Sequence, residues 1–362
     1  MEGRKVQKVG KTTLAVSLPI SWVKTNKLKQ GDLLIFSREE DGSLKIRPSS
    51  IVETKPRTEE FVIDSNLCDE PKMLEKLIVA NYVLGREVIT IFSPKRLNEA
   101  HISEVREIVP RLLGLGIIEE TSSHITLQCS LDVTKFPVHV IMRRLYIIAS
   151  TMLKETIQAL REESPELARA AAKMEKEADT IYWLIVRLLL SAQKDKDSAT
   201  RIGQENPLHI VGNRIIASHL EKISDYSEKI AESIVNIINL KGKQEKTLNL
   251  KKIIAELIQI GDTVYEICCN SMQSLYTGDV KLATSTIETF KRKIEVEEPN
   301  ISDRICQVPN KDVTCILRST SSYLFEIADL AKDIAEVAIN RILETPSKIC
   351  KEQTIRTEDP AV

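Results

Sequence analysis

A chain of 362 residues is long for a single domain, and its composition excludes several broad classes. With 42% hydrophobic residues, 28% charged residues and a net charge of −1, it is neither an unfolded polyelectrolyte nor a uniformly basic coat for nucleic acid. Only 4% of residues are aromatic, and 12 Gly and 13 Pro supply few breakers, so long helices filled with Leu, Ile and Ala are expected.

No apolar run reaches the roughly 18 residues that span a bilayer. The richest, Ile181 to Ala192, is short and contains Arg187, so no membrane insertion is expected. No signal peptide is visible after Met1, and a cytoplasmic location is expected. The seven cysteines (Cys68, Cys129, Cys268, Cys269, Cys306, Cys315, Cys350) are odd in number and lack a CxxC pair. That argues against a zinc knuckle or a disulfide framework and predicts buried free thiols.

In chain order, residues 1–50 read as a small β domain. Strands over 4–9, 14–18, 33–37 and 43–46 are separated by turn signals at Gly10, Gly31-Asp32 and Asp41-Gly42, with one short helix from Ile20 to Lys27 after Pro19. Residues 51–65, polar with Pro56, read as a linker. Residues 66–136 read as a short α/β segment, with helices at 73–84 and 102–113 and strand-like runs at 88–92, 117–118 and 125–127.

From Pro137 the apolar period becomes 3.6, and helices are expected at 138–163, 165–194, 206–241, 246–276, 279–295 and 310–344. Helices of this length with short connections pack as antiparallel bundles. The division is then one bundle over 137–241, a second over 246–344, and a tail over 345–362.

The two bundles are related by an internal repeat. Residues 218–236 (SHLEKISDYSEKIAESIVN) align without gaps on 322–340 (SYLFEIADLAKDIAEVAIN), and Asp225/Asp329 and Ile230-Ala231-Glu232/Ile334-Ala335-Glu336 fall in register. Leu220, Ile223, Ile230, Ile234 and Ile237 trace the core face of the first copy. Glu221, Asp225, Glu228 and Glu232 run about one position, or about 100° of turn, beside it. Glu175 and Asp179 repeat the same ExxxD spacing on an earlier helix. Carboxylates at i and i+4 repel by a few tenths of a kcal/mol unless a cation lies between them, and two such pairs on adjacent helices can surround a metal. An ordinary solvated helix face explains the same stripe, since Lys222 and Lys229 can neutralise it. Spacing alone leaves both readings open.

The ExxxD motifs, the Ile-Ala-Glu turn and the duplicated three-helix pattern resemble the PhoU family over about residues 137–344. The resemblance implies a metal ion, such as iron, zinc or magnesium, held by Glu175, Asp179, Glu221 and Asp225. The second copy departs from that pattern. Phe325 stands where Glu221 stands in the first, and placing Asp303 on Asp179 puts Pro299 at the position of Glu175. A second site is therefore either empty or built differently from Asp329 and Asp333.

Residues 1–57 hold 12 Lys/Arg and six Asp/Glu, a local charge of +6 in a chain of net −1. Such asymmetry points to a polyanion partner or to an incidental basic surface. Arg4-Lys5-Val6-Gln7-Lys8-Val9-Gly10, the Val16-to-Pro19 run, Trp22-Val23-Lys24, Gly31-Asp32 and the Asp41-Gly42 hairpin resemble the AbrB/SpoVT swapped-hairpin domain. That resemblance implies a dimer, or a higher oligomer, gripping DNA through Arg4, Lys5, Lys11 and Lys24, and the charge of Lys8 adds it to the set.

The expected fold class is mainly α: two tandem three-helix bundles preceded by a small swapped-hairpin β domain and a short α/β segment. The head-plus-bundle combination is associated with archaeal phosphate uptake regulators, which implies phosphate transporter or sensor proteins as partners. No enzymatic role is expected, since no Gly-rich phosphate loop, GxSxG, HExxH or Glu-x-x-His motif is present. His101, His124, His139, His209 and His219 form no cluster, His219 reads as a helix-surface residue, and Trp22 and Trp183 read as core.

Overall fold

A computed structural model describes residues 3–38, 42–49, 59–241 and 248–351. Asp41 of the hairpin turn, the linker up to residue 58, the helix start at 246–247 and the tail from residue 352 lie outside the described residues. The chain divides into two units, Met1–Glu59 and Glu60–Val362.

The first unit contains two antiparallel hairpins. β1 (Gln7–Val9) pairs with β2 (Thr13–Ala15) around Gly10, whose φ of +70° suits a residue without a Cβ. β3 (Leu34–Arg38) pairs with β4 (Leu44–Pro48), and α1 (Ile20–Thr25) follows Pro19 as expected. The first two strands are shorter than the apolar runs suggest. Pro48 is the one fully buried residue among those described in this unit, while Val9, Leu14, Ile20, Leu33, Phe36 and Leu44 are all exposed. One copy of the head thus presents apolar surface that it does not cover itself.

The second unit opens with a four-stranded sheet of order β5-β6-β8-β7. β5 (Glu60–Asp64) lies parallel to β6 (Val88–Phe92), and α2 (Met73–Val83) makes the crossover. α3 (Glu99–Ile108) leads through a 3-10 turn, Val109–Arg111, to the hairpin of β7 (Leu115–Glu120) and β8 (His124–Cys129). The linker expected over 51–65 therefore ends too late, because residues 60–64 form β5. Its alternation is brief, with Ile63 buried and Phe61 half-buried between acidic neighbours, and charge hid it. The α/β layer has its own core around Leu74, Ile78, Tyr82, Ile89 and Leu127.

Behind this layer stand the helices. The first bundle contains α4 (Val138–Glu162), α5 (Pro165–Ala172), α6 (Glu175–Lys194), the short α7 (Lys196–Arg201) and α8 (Pro207–Lys241). The second contains α9 (Leu248–Thr277), α10 (Val280–Thr289), a π turn over Phe290–Glu295, α11 (Val296–Cys306) and α12 (Lys311–Ile342). One hydrophobic core runs through both, from Leu153 and Leu184 to Ile223, Leu257 and Leu324. No helix among the described residues is long and apolar enough to cross a membrane.

Two helix boundaries differ from expectation. The helix expected over 165–194 is split at Lys173-Met174, where neither Gly nor Pro signals a break. Its start is as expected: Ser164 caps it, accepting a 3.2 Å bond from the Leu167 amide, with Pro165 at the first helical position. The helix expected to stop at 295 continues to Cys306, with Pro299 inside it. The π turn just before offers each carbonyl an amide five residues on rather than four, which lets the chain tolerate the missing Pro299 N–H.

Arg187, the charge inside the most apolar run, is only 3% exposed. Its guanidinium donates to the carbonyls of Tyr82 and Arg86 at the C-terminal end of α2 and lies 4.9 Å from the Tyr82 ring centroid. Lys194, two turns on, donates to the Leu84 carbonyl. Cations at the carbonyl end of a helix satisfy its orphan acceptors and complement its dipole. These two side chains of α6 fasten the α/β layer to the first bundle.

The thiols are free, as expected, but not all are buried. Cys68, Cys129 and Cys268 are buried, whereas Cys306, Cys315 and Cys350 are exposed. Trp22 and Trp183 are half-buried rather than fully in a core, and Trp183 packs against both the bundle core and the α/β core.

Replacing Arg187 by Leu leaves buried carbonyls without their donor. Urea unfolding is expected to show a loss of about 1–3 kcal/mol, with the α/β layer becoming the first site of limited proteolysis. A midpoint equal to that of the parent chain would contradict this docking role.

Candidate metal centre

The acidic site is assembled by α6 and α8. α6 begins at Glu175, so the break at Lys173-Met174 puts this carboxylate in a first turn, where the free amides and the helix dipole favour negative charge. Asp179 lies one turn later on the same face. Across from them, α8 presents Glu221, Asp225 and Glu228 from the flank of its buried stripe, in which Leu220, Ile223 and Ile230 are each 2% exposed.

Oxygens of Glu175, Asp179 and Asp225 come within 4.8 Å of one another, and all three side chains are half-buried. Burial raises the Glu175 carboxyl to about 7, helped by the charges of Asp179, Glu228 and Asp225. Burial raises Glu221 to about 7 as well, with Asp225 and Asp179 contributing. Asp225 is raised by burial and by Asp179, and Glu228 by burial and by Glu232 and Asp225. Three of the four carboxylates expected from sequence converge, while Glu221 lies outside that group and, like Glu228, is linked to it through its charge. Glu232, the last acid of the stripe, is exposed.

The main counter-charge comes from outside the bundle. Arg111, at the end of the 3-10 turn of the α/β layer, forms an ion pair with Asp179. Its charge lowers the Glu175 carboxyl, though not enough to offset burial and repulsion. Lys229 also lies near the rings of Tyr226 and Tyr323, 5.2 and 5.8 Å from their centroids. Sequence reasoning missed Arg111, since nothing in its local pattern points to a bundle 68 residues further on.

Asp329 and Asp333 are differently placed. Lys332 Nζ lies 2.6 Å from Asp329 and 3.3 Å from Asp333. Burial works against the Lys332 charge, but these carboxylates outweigh it and leave its pKa raised. His219 approaches the other oxygen of Asp333 at 3.4 Å, and burial lowers its pKa. His219 is thus largely buried rather than on the helix surface. Lys332 occupies the repeat position of Glu228, and Phe325, in the position of Glu221, is only 8% exposed within the core. A protein cation already sits between the second copy's acids, so they do not gather as the first copy's do.

Of the basic residues expected to meet nucleic acid, Arg4, Lys5, Lys8, Lys11 and Lys24 are all exposed on the head. Arg4 donates a 3.0 Å bond to the Ser17 hydroxyl, tying the start of the chain to the end of the first hairpin.

The chemistry of the first cluster fits a metal ion that prefers oxygen. Its donors are carboxylates alone, they converge, and their raised pKa values mark a site short of positive charge. Because the folded-state pKa values of Glu175 and Glu221 lie above their ordinary 4.5, the folded chain retains protons that the unfolded chain releases. Stability from these groups therefore falls as pH climbs from about 4.5 through 7, and the full cost is present above that window. A bound cation removes the cost.

Differential scanning fluorimetry should accordingly show Mn²⁺ or Mg²⁺ raising Tm more at pH 8 than at pH 5.5. Without metal, Glu221→Gln should raise Tm at pH 8. A metal effect independent of pH, or retained in a Glu175→Gln/Asp225→Asn variant, would count against the site.

Known families match two separate parts of the chain. A PhoU domain family model matches residues 142–234, and a model described as antidote-toxin recognition MazE, bacterial antitoxin, matches residues 6–53. Similar solved structures include PhoU from Pseudomonas aeruginosa, with 16% identity over 57% of this chain and 96% of that one, at a TM-score of 0.48. Another is the phosphate transport system regulatory protein PhoU from Streptococcus pneumoniae, with 15% identity over 56% and 91% of the two chains, at a TM-score of 0.45. No curated protein is significantly similar to the chain. The chain is thus similar to a PhoU domain within its first bundle and to a MazE antitoxin domain in its N-terminal unit.

Proposed function

We propose that this chain is a regulator of phosphate uptake in which a dimeric, DNA-binding head is joined to a metal-holding bundle. The observation that carries the reading is the pairing of two surfaces in one chain: an exposed basic head with uncovered apolar residues, and a carboxylate cluster at the centre of the PhoU-domain match. The PhoU domain match over residues 142–234 supports assigning a task in phosphate regulation here.

In this reading the exposed Val9, Leu14, Leu33, Phe36 and Leu44 are covered by a second copy of the head. Arg4, Lys5, Lys8, Lys11 and Lys24 then contact phosphates of DNA, which gives affinity that falls with salt. Glu175, Asp179, Glu221 and Asp225 hold a metal ion, and their all-oxygen donor set suits magnesium, manganese or iron better than zinc. The ion supplies charge neutralisation that stiffens the contact between α6 and α8, and the bundle offers its outer faces to a transporter or sensor protein. The role is regulatory rather than enzymatic. A second reading is favoured by the same uncovered apolar surface: the head serves only to pair copies, and the chain is an adaptor of a transport complex.

Fluorescence anisotropy on promoter DNA separates the two readings. A combined Arg4→Ala, Lys5→Ala and Lys24→Ala variant should lose at least about tenfold in affinity while remaining dimeric by sedimentation, and the parent should release DNA as salt rises. A dimer that retards no DNA at low salt would leave the adaptor reading.

A further inference from the structure

The second bundle holds a small polar cavity where α11 faces α12. Its volume is about 170 Å³, and Ser302, Ser321, Ser322 and Arg318 line it together with Ile305, Phe325 and Glu298. Ser321 is only 5% exposed, yet its hydroxyl makes no hydrogen bond to any described residue. Arg318, Ser302 and Ser322 likewise have no hydrogen-bond or ion-pair partner among the described residues. One guanidinium and three hydroxyls that no described protein group engages thus open on a single cavity, free to bind a ligand in place of water.

The repeat explains how the cavity arises. Arg318 lies at the position of Arg214, which in the first copy donates a 2.6 Å bond to the Tyr182 hydroxyl and lies 5.2 Å from that ring's centroid. The alignment that sets Asp303 on Asp179 puts Cys306 where Tyr182 stands. The phenol that engages Arg214 thus has no counterpart beside Arg318. Ser321 replaces Ala217, adding a hydroxyl at the same point.

We infer that this cavity binds a small tetrahedral oxyanion that carries a proton, with inorganic phosphate as the natural probe. The guanidinium offers parallel N–H donors matched to two oxygens of such an ion, and three hydroxyls offer further donors. At about 30 Å³ per water, the cavity has room for the ion and some of its hydration. Glu298 at the edge selects the protonation state. Its carboxylate accepts from the P–OH of hydrogen phosphate, whereas sulfate has no proton to offer near neutral pH and meets like charge. The site involves none of the acids of the first bundle and no residue of the head, so it is independent of the metal and DNA assignments.

Isothermal titration calorimetry on the full chain with inorganic phosphate tests the inference. Saturable binding is expected at up to millimolar phosphate, weakened at least about tenfold by Arg318→Met and clearly by Ser321→Ala. Sulfate should bind at least about tenfold more weakly than phosphate, and Glu298→Gln should narrow that gap. Phosphoserine titrated in parallel tells a free ion from a phosphorylated side chain, and Arg318-dependent binding of either supports the site. Circular dichroism checks that the variants fold; Arg318 is exposed, and Ser321→Ala restores the residue of the first copy. No saturable binding, binding unchanged in both variants, or equal affinity for sulfate would each overturn the inference. The metal-dependent Tm shift should survive Arg318→Met, so failure here leaves the first-bundle reading to its own test.

Discussion

The burial of Arg187 organises the body of this protein. A guanidinium in the middle of an apolar helix is costly to desolvate, and it is tolerated because α2 ends where its carbonyls can accept from it. That contact fixes the α/β layer against α6, and Lys194 repeats it further along the same helix. With the layer so placed, the 3-10 turn carries Arg111 to Asp179. The acidic site therefore depends on a docking event elsewhere on the same helix. Without that event the carboxylates would face each other with Lys222 and Lys229 as counter-charges from the bundle.

The two repeats show how few changes redirect such a site. In the first copy Glu221 and Glu228 flank Asp225, and the cluster is rich in negative charge. In the second, Phe325 takes the first position and is buried, while Lys332 takes the second and pairs with Asp329 and Asp333. The core stripe is nearly unaltered, since Leu220, Ile223 and Ile230 correspond to Leu324, Ile327 and Ile334, all buried. Packing needs the stripe, whereas the flank is free to diverge because it carries charge rather than the core.

Legibility from sequence followed the same division. Helices with strong apolar period and marked ends, such as α4 and α12, were expected within about two residues, and Ser164-Pro165 located a real cap. The acids on α6 and α8 were legible because a single helix face carries them at fixed spacing. Arg111 was not, since its partner lies on another element and only the docking of the α/β layer brings them together. The break at Lys173-Met174 carries no breaker residue, and the helix through Pro299 relies on a π turn that has no composition signal. β5 was hidden because Glu60, Glu59 and Asp64 surround its few apolar residues. The unpartnered donors around Arg318 were equally hidden, being defined by the absence of a phenol contributed by another helix in the other copy.

The head poses the opposite problem to the body. Small domains bury a low fraction of their surface, and a unit of about 60 residues is marginal even with a full core. Here a single described residue is buried, and six large apolar side chains named above remain in water. At roughly 25 cal/mol per Å² of apolar surface removed from water, covering them is the main source of stabilisation open to this unit. In the proposed pairing, folding and association of the head are one process, and its basic residues become ordered as a set contributed by two chains. Charge that is diffuse on one copy is then concentrated on a shared face. Polyanion binding of the head would fall with dilution below the dimer's dissociation constant, while the body, with its continuous core, would stay folded.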